Sequence, residues 1–258
     1  MTRVKTAYNA AKSLIISRFL QKHARVIDIG SGTDVLKYST HEPLDLILVD
    51  ASGESLAKGL EFAIDKGIQY PVGQHMADVF SEPFSESTTT VYSPVMVVPR
   101  RVKLRGTDLV ASFSALELCK DIEHLQHFCD QVAQSLKPGG VWIGCLTNGA
   151  RVLERCDEKG HYADNYCAIQ MNDRVDSYRF TTATRDCQQH LWTVPTLVRI
   201  AERSGLVLCL QESLLDVLGN APNWRDHRRK LKLHMDDLPP LSLLSFFCFT
   251  KPCPEHLL

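Results

Sequence analysis

The segment Val26-Ile27-Asp28-Ile29-Gly30-Ser31-Gly32 constrains the fold of this chain more than any other. A short apolar run carrying one acid leads directly into a turn with two glycines. Glycine lets the backbone turn sharply and lets a ligand approach it closely. A second apolar run, Leu46-Ile47-Leu48-Val49-Asp50, follows and ends on an acid. At the tip of the second strand of an α/β sheet, a carboxylate can accept hydrogen bonds from both hydroxyls of a ribose. A dinucleotide-binding turn carries a third glycine three residues on; here Gly32 is followed by Thr33-Asp34-Val35, so the pyrophosphate cradle is missing. Taken alone, the glycine turn is explained by an ordinary αβ loop. Its pairing with Asp50 points to a ligand that carries a ribose.

Hydrophobic periodicity organises the rest of the chain. It predicts a helix over 7–23, with Leu14, Ile15, Phe19 and Leu20 on one face, then a strand at 25–29 and a short helix at 33–38. A strand at 44–49, a helix at 53–66 and a strand at 69–76 ending on Ala77-Asp78 follow. The span 80–106 opens with a Ser-Glu-Ser-Thr-Thr-Thr run and contains Pro94 and Pro99, so it reads as an irregular loop insertion, functional or disordered. Beyond it come a strand at 108–113, a helix at 121–136 stopped by Lys137-Pro138-Gly139-Gly140, and a strand at 141–146. The second half is less regular, with a short strand at 178–180, a helix at 194–204 capped by Gly205, a strand at 206–210 and a last antiparallel strand at 242–249. Alternating strands and helices imply an α/β fold, doubly wound around a mostly parallel seven-stranded sheet. The whole chain reads as one domain, with an N-terminal helix in 1–24 and two insertions, 81–106 and 157–193.

Composition narrows the function classes. A length of 258 residues suffices for one elaborated domain, and a net charge of −1 leaves no global polycation to hold nucleic acid. The nine cysteines form no C-x-x-C pair, which argues against a zinc site and fits reduced thiols in the cytosol or nucleus. No apolar run reaches about 18 residues, so an intracellular protein with no membrane span is expected.

Ligands of such sheets bind outside the carboxyl ends of the strands, where strand order reverses. Gly30, Gly32, Asp50, Asp78 and the segment Ser112–Leu116 all fall there. Asp78 has a plainer reading as a turn cap after a strand. Two basic clusters are candidate phosphate contacts or simply solvated faces: Arg100, Arg101, Lys103 and Arg105, and then Arg225, Arg228, Arg229, Lys230 and Lys232 around Trp224. His23, His124, His127 and His161 show no metal-ligand spacing. Tyr92 and Phe113 could stack a base, whereas Trp142 lies in a central strand and reads as core.

The D-x-G-x-G turn resembles the first motif of class I S-adenosylmethionine (SAM) methyltransferases. The resemblance sharpens along the chain. Tyr8-Asn9-Ala10-Ala11-Lys12-Ser13-Leu14-Ile15 is similar to the N-N-x-x-K-x-x-L-I helix that opens the mRNA cap (guanine-N7) methyltransferases. Val26–Tyr38 resembles their V-L-D-L-G-C-G-K-G-G-D-L-L-K-W, Thr147–Leu153 their T-P-N-S-x-x-L, and Gln189–Leu197 their E-Y-L-V-x-F-P-L-L. This resemblance implies SAM as cofactor, with Lys12 on its carboxylate and Asp28, Gly30 and Gly32 against its methionyl part. Asp50 would take the ribose, Asp78 the adenine amino group, and Ser112 and Phe113 would complete the site. It implies capped RNA (GpppN) as acceptor, other capping-enzyme subunits as possible partners, no metal, and residence in nucleus or cytoplasm.

The departures gather on the acceptor side. The family's His-Tyr after the fourth strand reads Ala115-Leu116-Glu117-Leu118 here, and its guanine-facing glutamate maps onto Gln189. Motif one is also shorter, and its lysine becomes Thr33. The cap side is therefore expected at Glu117, Gln189, His190, Arg100, Arg101 and Arg105. Two alternatives stand beside this expectation: the same chemistry on another RNA nucleotide or a small molecule, and a non-catalytic subunit of the same fold that binds RNA or a partner.

Overall fold

The computed structural model describes residues 3–30, 33–93, 98–113, 115–164, 167–172, 177–182, 186–221 and 242–253. Its centre is a parallel pair: β1 (Arg25–Ile29) and β2 (Asp45–Asp50) lie in register from Arg25 opposite Asp45 to Ile29 opposite Val49. Both strands are covered on both faces, which is why their sequences read as continuous apolar runs and not as alternating ones. β3 (Val72–Met76) joins on one side of this pair. β6 (Thr107–Ser112) and β7 (Leu136–Thr147) join on the other. β13 (Leu244–Thr250) is inserted antiparallel between β7 and the edge strand β12 (Val207–Ser213). The chain therefore leaves β1 in one direction for β2 and β3 and returns past it to β6. The strand tips around β1 form the switch point at which such sheets take ligands.

Two apolar layers close the sheet. One face packs α1 (Arg3–Phe19), α2 (Gly53–Asp65) and α6 (Leu214–Gly219) through Ala11, Ile15, Leu56 and Leu218. The other packs α3 (Ile122–Ser135) and α5 (Val194–Arg203) through Phe128, Val132, Leu197 and Ile200 against Trp142 and Phe249. Short polar side chains start these helices. Ser52 accepts from the Ser55 amide, Asp121 from His124 and Thr193 from Thr196, while Ser213 and Asp216 form a reciprocal capping box. At the end of α3, Lys251 Nζ donates to the carbonyls of Ala133 and Leu136 at 2.7 and 2.8 Å, supplying donors to oxygens the helix leaves unpaired.

Two expectations are corrected. The span 80–106 is not an irregular loop: β4 (Thr88–Tyr92) and β5 (Arg100–Lys103) form an antiparallel hairpin that extends the sheet beyond β3, giving the order β12-β13-β7-β6-β1-β2-β3-β4-β5. The seven strands expected lie within this nine-stranded sheet. The region 157–193 holds a second, four-stranded antiparallel sheet of β8 (His161–Ala163), β9 (Cys167–Met171), β10 (Ser177–Thr182) and β11 (Asp186–His190), not one short strand. It packs Ile169 and Tyr178 on Val152 of α4 (Gly149–Arg155), a helix that, like α6, periodicity did not reveal. The basic cluster around Trp224, and Gly32, lie outside the described residues.

Candidate functional site

A cleft of about 400 Å³ opens at the strand tips, lined by Ile29 and Gly30 after β1, Val49 and Asp50 at the end of β2, Ala77 to Phe80 after β3, and Ala115, Leu118, Lys120 and His124 after β6. Gly30 turns the chain there with φ +69°, a left-handed conformation that suits glycine, and its amide donates to the Val49 carbonyl at 2.9 Å. Asp50 accepts from the Ser52 amide through Oδ1 at 2.8 Å. Among the described residues its Oδ2 has no hydrogen-bond partner, so that oxygen is available to a ligand. Asp78 both lines the cleft and caps its own turn: Oδ1 accepts from the Phe80 amide and Oδ2 from the Ser81 hydroxyl. The turn-cap reading of Asp78 therefore holds, and the residue also lines the cleft.

Beneath Gly30 lies a buried charge cluster. Lys12 on α1 is 2.8 Å from Asp34 Oδ2, and Lys37 pairs with Oδ1 of the same carboxylate. The Lys12 ammonium also sits over the rings of Tyr8 and Phe113, 4.7 and 5.6 Å from their centroids. Asp28 is 1% exposed, and among the described residues its Oδ2 has no hydrogen-bond partner. Burial pushes its carboxyl up to about 8, helped by the Asp34 charge and opposed by Tyr38, Lys12 and Lys37. An ionised oxygen stranded there is costly unless a donor or cation reaches it. Of the polar atoms of the site, this oxygen most calls for a donor.

Ser112 and Phe113 diverge from expectation. The Ser112 hydroxyl accepts from the Trp142 indole N–H at 2.8 Å inside the sheet and is not offered to the cleft. Phe113 accepts from the Tyr8 hydroxyl through its carbonyl, and its ring walls the Lys12 pocket against Phe246.

After β6 the structure brings together residues 72 positions apart. Glu117, in the 3-10 turn Leu116–Leu118 after β6, accepts from Thr147 Oγ1 at 3.2 Å and from Gln189 Nε2 at 3.3 Å. The Tyr178 hydroxyl donates to Gln189 Oε1 at 2.6 Å. His190 packs its ring on Trp192 with centroids 4.1 Å apart. The basic run is placed elsewhere. Arg100 pairs with the fully buried Asp45 at the start of β2, the end opposite the cleft, while Arg101 donates to Thr88 and Arg105 pairs with Glu86. Sequence reasoning gave no role to Asp34, Thr147 or Tyr178, which it met only inside the Val26–Tyr38 and Thr147–Leu153 motifs and a short strand at 178–180. Among the described residues no cluster of His, Cys, Asp and Glu could hold a metal ion, and no helix is long and apolar enough to cross a membrane.

No family model matches the chain. Over 245 residues it is 24% identical to the mRNA cap guanine-N(7) methyltransferase of Cryptococcus neoformans, a match covering 86% of this chain and 38% of that protein. The chain thus spans well under half the length of this curated relative. Among solved structures it resembles an S-adenosylmethionine-dependent methyltransferase from Clostridium acetobutylicum at 11% identity and TM-score 0.60, covering 96% of this chain and 92% of that one. It also resembles the CcbJ methyltransferase from Streptomyces caelestis, at 13% identity and TM-score 0.60, with 96% and 90% covered. At these identities the likeness is one of fold: the chain has the Rossmann-like, doubly wound fold of these methyltransferases.

Proposed function

We propose that this chain is a SAM-dependent methyltransferase whose acceptor is N7 of the guanine in an mRNA cap. The observation that carries the cofactor half is the cleft at the switch point, lined by Gly30 and Asp50, with the buried carboxylate of Asp28 two residues before Gly30. Asp28 would hold the α-ammonium, Asp50 the ribose hydroxyls, and the Asp34-anchored Lys12 the carboxylate. When bound, SAM supplies a methyl group activated by a sulfonium. The acceptor half is supported by the similarity over 245 residues to a cap guanine-N(7) methyltransferase and by the Glu117–Gln189 pair beside the cleft.

The chemistry asks little of the chain. Guanine N7 carries a lone pair and no proton, so no general base is needed. The task of the protein is to hold the base in line and exclude water, and orientation of this kind can supply roughly 7–11 kcal/mol of the barrier reduction. The same fold acting on a different nucleotide or a small molecule is favoured by one observation: Ala115-Leu116-Glu117-Leu118 stands where the cap family has His-Tyr.

Asp50→Ala tests the cofactor half. Loss of charge-assisted hydrogen bonds should weaken SAM binding, followed by calorimetry, by at least about 1.5 kcal/mol. An unchanged affinity would remove Asp50 from the site.

A further inference from the structure

We propose that the outward face of the β4–β5 hairpin binds the single RNA strand that follows the cap, with Tyr92 under a base and Arg101 and Lys103 on its phosphates. This deepens the capped-RNA reading and rests on it. The basic run divides by face. Arg100 and Arg105 are held in ion pairs with Asp45 and Glu86. Arg101 has the neutral Thr88 hydroxyl as its partner, at 3.1 Å, and among the described residues Lys103 has no hydrogen-bond or ion-pair partner. Strand register puts these two cations on one face: Val72 lies opposite Tyr92, Thr90 opposite Arg101 and Thr88 opposite Lys103. Thr88, Tyr92, Arg101 and Lys103 are exposed, whereas Val91 and Val102 turn the other way into the core. Among the described residues, then, nothing covers this face.

A cavity of about 400 Å³ lies along it, lined by Thr88, Thr90, Arg101 and Tyr92 from the hairpin and by Leu60 from α2. Met76 lines this groove as well, and the next two residues, Ala77 and Asp78, line the cofactor cleft. The groove therefore begins where the cleft ends. Its chemistry suits a phosphodiester chain. Arginine and lysine without an acidic partner attract phosphates, and threonine hydroxyls donate to the same oxygens. Tyr92, 53% exposed, offers a ring face on which a base stacks. Bases in a duplex are already stacked on their neighbours, so the ring selects a single strand. None of these groups is arranged to read a base edge, so binding is tolerant of sequence. A protein partner with an apolar face fits poorly here, because it would cut the cations and hydroxyls off from water without replacing their hydrogen bonds.

The test uses a labelled oligouridylate of about ten nucleotides, its binding followed by fluorescence anisotropy at several salt concentrations. Arg101→Gln/Lys103→Gln should bind it about tenfold more weakly, and the slope of log affinity against log salt should shrink by about 1.4, the loss of two phosphate contacts. Tyr92→Ala should also lose about tenfold, while Tyr92→Phe keeps wild-type affinity because the ring face makes the contact. Lys22→Gln/Lys58→Gln removes the same charge from exposed ion pairs elsewhere and should bind as wild type does. SAM affinity and methyl transfer to the GpppA dinucleotide, which lacks the chain, should be unchanged in every variant, and a melt checks that each one folds. Wild type without affinity for the oligonucleotide overturns the proposal and leaves the cap reading standing. So does an Arg101→Gln/Lys103→Gln protein with wild-type affinity and slope, or a Lys22→Gln/Lys58→Gln protein that loses as much. A wild-type dimer that Tyr92→Ala dissociates also overturns it, giving the face to a second copy of the chain. Wild type that binds the oligonucleotide but transfers no methyl group to GpppA overturns the cap reading while the strand-binding face stands.

Discussion

Trp142→Ala should destabilise the protein by about 4 kcal/mol, more than any other truncation considered, read as a shift of the urea midpoint at unchanged slope. The indole is fully buried in β7 and stacks on Phe249 with centroids 5.2 Å apart. It meets the edges of Phe247 and Phe128 at 4.9 and 5.7 Å. Truncation opens a cavity among rings that neighbouring strands and α3 hold in place, so little collapse can offset it. It also strands the buried Ser112 hydroxyl, whose partner is the indole N–H. Trp142→Phe keeps most of the volume and should cost less than half as much. A loss under about 1 kcal/mol for the alanine variant would show that the ring is not the wedge between β7 and β13.

Asp28→Asn should make the SAM-free protein more stable and bind SAM less well. The carboxyl of Asp28 is raised to about 8 in the folded chain from 3.8. Because the folded value lies above the unfolded one, the folded chain retains the proton. The stability cost is absent where both states are protonated, grows as pH rises from about 4, and is complete above about 8. The neutral amide escapes this cost, so the variant should gain on the order of 4 kcal/mol at pH 7 and lose its advantage below about pH 4. SAM affinity should fall at least tenfold, because an amide can accept a hydrogen bond from an ammonium but brings no opposite charge. A variant that gains stability equally at pH 4 and pH 8 would contradict the stranded-carboxylate account. Equal SAM affinity would place the ammonium elsewhere.

How legible the site was depended on how local its signals are. β1 and β2 were readable because strands buried on both faces write themselves as unbroken apolar runs, and the glycine between them has a backbone reason to be there. Asp28, Gly30 and Asp50 followed from that frame. The hairpin was not readable in the same way. Thr88-Thr89-Thr90-Val91-Tyr92 alternates out and in as a strand should, with Val91 buried, but its threonines resemble a polar loop and Pro94 and Pro99 reinforce that impression. The run from Arg100 to Arg105 looked like one basic patch. On a strand its side chains part company: Val102 turns inward and Arg100 ends in an ion pair with Asp45. The second sheet was hidden for a related reason. Its strand Asp186-Cys187-Gln188-Gln189-His190 has no apolar alternation, and it is held by neighbouring strands and a small cluster around Tyr178. Glu117 and Gln189 were each singled out, but a contact across 72 residues leaves no mark in local pattern.

The central claim is tested most directly by incubating the protein with methyl-labelled SAM and GpppA-capped RNA, then digesting with nuclease to locate the label. The account predicts label on N7 of the cap guanine, and none on the same RNA carrying an uncapped triphosphate. Label on an internal nucleotide, or equal labelling of capped and uncapped RNA, would contradict it.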